Sequence, residues 1–159
     1  MTAAAPDRFE DRPEFLLAGV RRSFPVADAP KEIGAVWEAL TALGELPGQT
    51  GDAAYGVWCA MDMAKGVGEY MAAAEVTGFE SLTADTGRMI VPAAQYAVFP
   101  HDGHVSTMGA VWQAAFAEWL PNSDYTDGGT PPFERYGPGF SAETMTGDME
   151  IWIPVTAKS

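Results

Sequence analysis

Glu134 is the residue of this chain best placed to do chemistry. It stands in the run Pro131-Pro132-Phe133-Glu134-Arg135-Tyr136, a single carboxylate between aromatic neighbours. Burial beside apolar rings disfavours the charged form of a carboxylate unless a cation or hydrogen-bond donors compensate. A lipophilic cation compensates well: it neutralises the charge, and each aromatic face adds cation–π contact of about 0.5–2 kcal/mol. The same carboxylate could act as a general base on a water, with Tyr136 or Tyr70 as the acid. A third reading needs no ligand, because Glu134 could pair with Arg135 or point to water.

The other reactive side chains are less well set. His101-Asp102-Gly103-His104 offers two imidazoles and a carboxylate but lacks the rest of a usual ligand set, and Gly103 marks a turn. A strand-end turn is the expectation there, with no metal. Ser106 has no Gly-x-Ser-x-Gly context. Neither Gly-x-Gly-x-x-Gly nor Gly-Lys-Ser/Thr occurs, so no nucleotide or other cofactor is expected. Cys59 is the single cysteine, which excludes an internal disulfide and makes the cytoplasm the expected compartment. It lies between Val57 and Met61 with no neighbouring His or basic residue, the setting of a structural thiol.

These residues must be positioned by a repeated unit. Gly34-Ala35-Val36-Trp37 recurs 75 residues later as Gly109-Ala110-Val111-Trp112. Each run is preceded by a strand-like stretch, Phe15 to Phe24 and Ala93 to Phe99, and followed by Leu-Pro, at Leu46-Pro47 and Leu120-Pro121. Two β-like runs come after each stop: Ala54 to Met61 and Glu69 to Val76, then Phe133 to Tyr136 and Met149 to Val155. The order β-α-β-β thus occurs twice, over about 14–78 and 88–156. The expected class is α+β: an antiparallel sheet, helices on one face, the halves related by a pseudo-twofold axis and a ligand cleft where they meet.

Within this plan the first helix starts near Pro30, with Asp28 as cap, and ends at Gly44. The second starts at Ser106 or Thr107 and carries Met108, Val111, Trp112, Ala115, Phe116, Trp119 and Leu120 on one wide stripe. Trp37 and Trp112 read as core residues. Residues 1–13 read as a flexible, solvated tail, residues 77–90 as a link, and residues 121–132 as a turn-rich loop able to serve as a rim.

Alternation along the strands predicts which side chains share a face. With Glu134 opposite Trp152, Tyr136 falls opposite Glu150, and all four share one face. Phe133, Met149, Ile151 and Ile153 then take the core side, where Arg135 fits poorly. Pairing Trp58 with Tyr70 in the first half puts Val57, Cys59, Met71 and Ala73 on the core side. Aromatics then occupy the face expected to be polar in both halves, which points to a binding surface.

The bulk properties bound the function. A chain of 159 residues with 47% hydrophobic content supports one packed domain. No apolar run approaches the ~20 residues of a membrane-spanning helix. The net charge of −13 is spread over both halves, leaving no basic patch for nucleic acid; the acidity reads either as solubility or as a field that attracts cations.

Four segments carry a family resemblance. Gln95-Tyr96-Ala97-Val98-Phe99-Pro100-His101-Asp102-Gly103, Glu118-Trp119-Leu120-Pro121, Phe133-Glu134-Arg135-Tyr136 and Glu150-Ile151-Trp152-Ile153-Pro154-Val155 resemble the GyrI-like domain. This is the effector-binding domain of AraC-type and multidrug-sensing transcription regulators. The resemblance spans residues 14–156, most specifically in the second half. It implies two β-α-β-β units with a cleft, a glutamate at Glu134 that contacts cationic or aromatic ligands, and an aromatic at Trp152 in the same pocket. Trp58 and Tyr70 join them on the face argument. About 14 residues precede the first strand, too few for a helix-turn-helix, so the chain resembles the stand-alone members; any regulatory role would need a partner, and a protein partner or a homodimer is the expectation. Relatives that hydrolyse strained, cyclopropane-type natural products, and others that inhibit DNA gyrase, supply the two alternatives to a binding module.

Overall fold

The computed structural model describes residues 5–62, 64–101, 103–141 and 143–158. Asp102 and the first four residues of the expected tail lie outside them. In chain order the strands are β1 (Arg8–Arg12), β2 (Phe15–Pro25), β3 (Gln49–Asp62), β4 (Val67–Val76), β5 (Gly87–Val91), β6 (Ala94–His101), β7 (Tyr125–Asp127), β8 (Phe133–Tyr136) and β9 (Met149–Ala157). Helix α1 (Ala29–Leu43) follows β2, and α2 (Met108–Gln113) follows β6. The chain divides into two compact units, Glu14–Val91 and Met1–Pro13 with Pro92–Ser159. Each contains the expected strand–helix–strand–strand order, with antiparallel strands throughout.

In the unit Glu14–Val91 the strand order is β5-β2-β4-β3. Trp58 pairs with Tyr70, the expected register. Their face is not an open surface, however. Helix α1 lies on it and packs Val36 into a core with Phe24, Tyr70 and Ala72, while Trp37 and Trp58 are packed against that core. The aromatics read as an exposed binding face are therefore in large part the seat of the helix. Burying such side chains contributes about 1.5–3 kcal/mol each. Asp28 is the residue before α1 but makes no side-chain cap; a 3-10 turn, Val26–Asp28, leads into the helix instead.

In the other unit the order is β1-β6-β9-β8, with β7 also on β9. Residues 8–12, expected within a solvated tail, form β1 and pair with β6 from Arg8↔Val98 to Arg12↔Ala94. Three strands thus escaped the sequence pattern: β1 in the tail, β5 at the end of the link and β7 in the loop. All are short, of three to five residues, and too brief to display a period.

The second helix also departs from expectation at both ends. Thr107 stands at the N-cap of α2 but makes no side-chain cap bond; instead the ring of His104 accepts from the Ser106 backbone N–H at 3.1 Å, opening a 3-10 turn Val105–Thr107 ahead of the helix. His101 Nε2 lies 2.8 Å from Thr107 Oγ1. Both histidines are thus engaged in the turn. The expected single α-helix is α2, then a π-helical stretch Ala114–Trp119, then a last turn α3 (Leu120–Asn122). Apolar spacing specifies a helix but does not tell a turn of 3.6 residues from a wider one.

Candidate functional site

The hairpin β8–β9 decides the site. Phe133 pairs with Trp152, Glu134 with Ile151, Arg135 with Glu150 and Tyr136 with Met149. This is one residue out of the expected register, and a one-residue slip exchanges the faces of a strand. Glu134 and Tyr136 consequently share the face of Ile151 and Met149. Trp152 lies on the opposite face, with Phe133, Arg135 and Glu150. The poor fit of Arg135 was the warning in the sequence. In the observed register Arg135 stands beside Glu150 (Nη1–Oε1 3.8 Å), and Phe133 stacks on Trp152 at 5.6 Å and 17°. Opposite charges and aromatic pairs directly across a ladder both stabilise a register.

Glu134 is buried, with 8% of its surface exposed. Tyr136 donates its hydroxyl to Oε1 at 2.7 Å, and Trp112 donates its indole N–H to Oε2 at 2.9 Å. Burial, and then the neighbouring Glu134 carboxylate, push the Tyr136 phenol far up, so it remains a protonated donor at any ordinary pH. Phe116 stacks on Trp112 at 5.9 Å and 6°, and Phe140 meets Tyr136 edge-on at 5.0 Å. The result is a carboxylate with two neutral donors beneath a helix carrying aromatic rings. Such a centre stabilises an anion where bulk water is scarce, and it offers a cation both a counter-ion and π faces.

Trp112, read from its spacing as core, is the site residue that sequence reasoning missed. One signal could have found it. An indole N–H that is even partly buried needs an acceptor, and the Gly-Ala-Val-Trp run occurs twice. In the first unit Trp37 likewise donates its indole N–H, to Tyr70 Oη at 3.1 Å. There the sheet residue it meets is a buried phenol, and Trp58 lies edge-on to that ring at 5.2 Å. The duplicated helix thus places an indole donor over the sheet in each unit, with a phenol as acceptor in the first and a carboxylate in the second.

Trp152 serves a different assembly. Its indole N–H donates to Glu150 Oε1 at 3.1 Å, and Arg8 from β1 lies over its ring, 5.6 Å from the centroid. Arg8 also donates to Glu150 Oε2 at 2.9 Å and to Glu10 at 2.7 Å. Burial alone would raise the Glu150 carboxyl, but hydrogen bonds from Arg8 and Trp152 outweigh it and hold the group below the usual range.

Cys59 is half-buried and donates to the Val57 carbonyl at 3.7 Å. Burial pushes its thiol up to about 11, with Arg21 acting in the opposite direction. The thiolate is the reactive form. Native protein at pH 8 is therefore expected to react with a disulfide reagent at least about ten-fold more slowly than denatured protein, whose thiol titrates near ~8.5, the loss of thiolate outweighing its greater nucleophilicity. Equal rates, measured by release of the reagent's chromophore, would show the thiol to be open. Among the described residues no group of three His, Cys, Asp or Glu could hold a metal ion, and no helix is long and apolar enough to cross a membrane.

Two strand–helix–hairpin units are the fold of the GyrI-like class of effector-binding domains. Within it, this chain belongs to the Cass2 family of integron-associated effector binding proteins, whose profile matches residues 8–155. The fold is shared with SAV2435, solved bound to tetraphenylphosphonium, at 18% identity and a TM-score of 0.70, over 94% of this chain and 93% of that one. A Vibrio cholerae integron cassette protein is similar at 20% identity and a TM-score of 0.65, over 94% and 95% of the two chains. EcmrR, solved in a complex with DNA, is similar at 18% identity and a TM-score of 0.67; the match covers 96% of this chain and 57% of EcmrR. No curated protein matches the chain.

Proposed function

We propose that this protein is a receptor for amphipathic aromatic cations, which it senses or sequesters with Glu134 as counter-ion. The observation that carries the reading is the buried Glu134 carboxylate, held by Tyr136 and Trp112 beneath stacked aromatic rings. A delocalised organic cation leaves water at low cost, so it can reach such a carboxylate where a hydrated metal ion or a small ammonium cannot. Support also comes from the tetraphenylphosphonium bound to SAV2435 and from the net charge of −13, which raises the local concentration of cations at low salt. Trp58 and Tyr70 remain candidates for aromatic contact with the ligand, and Trp152 a more distant one, since it faces away from Glu134. The DNA complex of EcmrR supports a link from ligand binding to transcription.

The test is thermal unfolding with tetraphenylphosphonium and a panel of lipophilic cations. At a hundred times Kd, a ligand of the native state adds about 2.7 kcal/mol, or about 5–10 °C for a chain of this size. Wild-type protein is expected to gain that much from at least one cation, and Glu134→Gln to gain almost nothing. If no cation stabilises the wild type at saturation, the reading fails. Incubation with a cyclopropane-bearing alkylator distinguishes a binder from a hydrolase: repeated ring opening, seen by mass analysis, would make Glu134 a base.

A further inference from the structure

Strand β1 ends the sheet of its unit. It pairs with β6 along one side, and among the described residues no strand lies along the other. A free edge presents unpaired N–H and C=O groups and accepts another extended chain unless it is blunted. Charged side chains blunt many such edges, and four of the five residues of β1 are charged. Its two faces differ, however. On one, Arg8 and Glu10 pair at 2.7 Å and Arg8 reaches on to Glu150 at 2.9 Å, so these charges are satisfied within the molecule. On the other, alternation sets Phe9 and Asp11 side by side, both exposed. Asp7 stands two residues before Phe9, its N–H bonded to the Val98 carbonyl at 2.7 Å; its carboxylate is exposed and lies 3.5 Å from Arg8. Phe9 is 40% exposed, yet its ring is held in place. It stacks on Tyr125 at 4.9 Å and 27° and leans on Trp119 at 6.1 Å, and Trp119 meets the buried Phe99 edge-on at 5.3 Å. The edge thus carries a fixed aromatic platform between two carboxylates. A ring already fixed loses little entropy when it is covered.

We propose that the free edge of β1 is a docking site for an extended basic segment of a partner protein. The segment adds to the sheet as a strand, with an apolar residue on Phe9 and Lys or Arg opposite Asp7 and Asp11. In this mode the main chain supplies affinity and alternate side chains supply specificity. Charge chooses the occupant. A second copy of this chain, paired antiparallel with Phe9 on Phe9, would set Asp7 of each copy opposite Asp11 of the other. Like charges directly opposite destabilise a ladder. Two chains of net charge −13 also repel before they meet. A basic segment reverses both effects: it places opposite charges across the ladder, and the field of the protein draws it in.

The experiment is NMR titration of 15N-labelled protein with three blocked peptides. The first is Thr-Lys-Thr-Ile-Thr-Lys-Thr, the second has Glu in place of both Lys, and the third is the first N-methylated at its three central residues. The first is expected to shift the backbone amides of residues 8–12 saturably. The Glu peptide is expected to bind at least about ten-fold more weakly, two opposite cross-strand charge pairs being replaced by two like ones. The methylated peptide keeps every side chain but cannot donate to the edge, and is expected to lose binding. The double variant Asp7→Lys with Asp11→Lys, changed only at exposed positions, is expected to prefer the Glu peptide. No shift with the first peptide at millimolar concentration overturns the proposal. So do shifts centred away from β1, or equal binding of the methylated peptide, which would reduce the effect to unspecific charge attraction. Amides of residues 8–12 that move with protein concentration alone would make a second copy the occupant and overturn it as well.

Discussion

Phe133→Ala is expected to lose about 3–5 kcal/mol of folding stability, lowering the thermal midpoint by about 6–20 °C. The ring is fully buried, stacks on Trp152 at 5.6 Å and meets Tyr96 edge-on at 5.3 Å. Tyr96 and Trp152 are themselves in contact at 5.5 Å, so truncation leaves a void walled by two large rigid rings. Such walls relax little, which puts the loss in the upper part of the range for large-to-small core changes. Total stability of a domain is about 5–15 kcal/mol, so this one change removes a large share. The adjacent Glu134→Gln provides the contrast: it is expected to keep the fold and lose the ligand. Urea and thermal unfolding of both variants check this. A Phe133→Ala midpoint within about 2 °C of the parent would show that the β8–β9 register is not the one described.

Glu150→Gln is expected to lose about 1–3 kcal/mol at neutral pH and almost nothing in acid. The Glu150 side chain is 14% exposed and receives Arg8, Arg135 and the Trp152 indole. Arg8 is 37% exposed, so solvent screening keeps the loss toward the lower end. The pH dependence follows from the lowered carboxyl. A group held below its unfolded value contributes fully above that value, about 4.3, and loses its contribution as pH falls through the folded value. The stability gap between wild type and Glu150→Gln should therefore be constant from pH 7 down to about 5 and shrink below about 4. Denaturation at pH 7 and at pH 3 measures it. A gap that persists undiminished at low pH would mean that the ion pair is not its origin. Because Arg8 shares the interaction, Arg8→Ala and Glu150→Gln should also combine less than additively.

Much of the fold was legible in the chain. The doubled Gly-Ala-Val-Trp run and its flanks gave two β-α-β-β units, and β2, β4, β8 and β9 begin or end within two residues of their expected limits. The Trp58–Tyr70 pairing was readable too, because β3 and β4 are long enough for alternation to have one solution. The edge strands β1, β5 and β7 were not, since three to five residues gain their structure from the neighbour they join. The phase of β8 was also hidden. In Phe-Glu-Arg-Tyr each face receives one aromatic and one charge whichever way the strand is turned, so hydrophobic pattern alone cannot choose.

For the candidate site, local sequence singled out Glu134 and Tyr136, because a carboxylate two residues from a phenol on one strand shares its face by geometry alone. Composition likewise fixed the strongly acidic charge. Tertiary structure alone decided that Trp112, 22 residues away on a helix, reaches Glu134, and that Trp152 turns instead to Glu150 and Arg8. The reason is physical. Alternation and helical period act over a few neighbouring residues, whereas the donor that meets a buried carboxylate is set by how a helix lies on its sheet and by a register that cross-strand pairs choose between two otherwise equal phases.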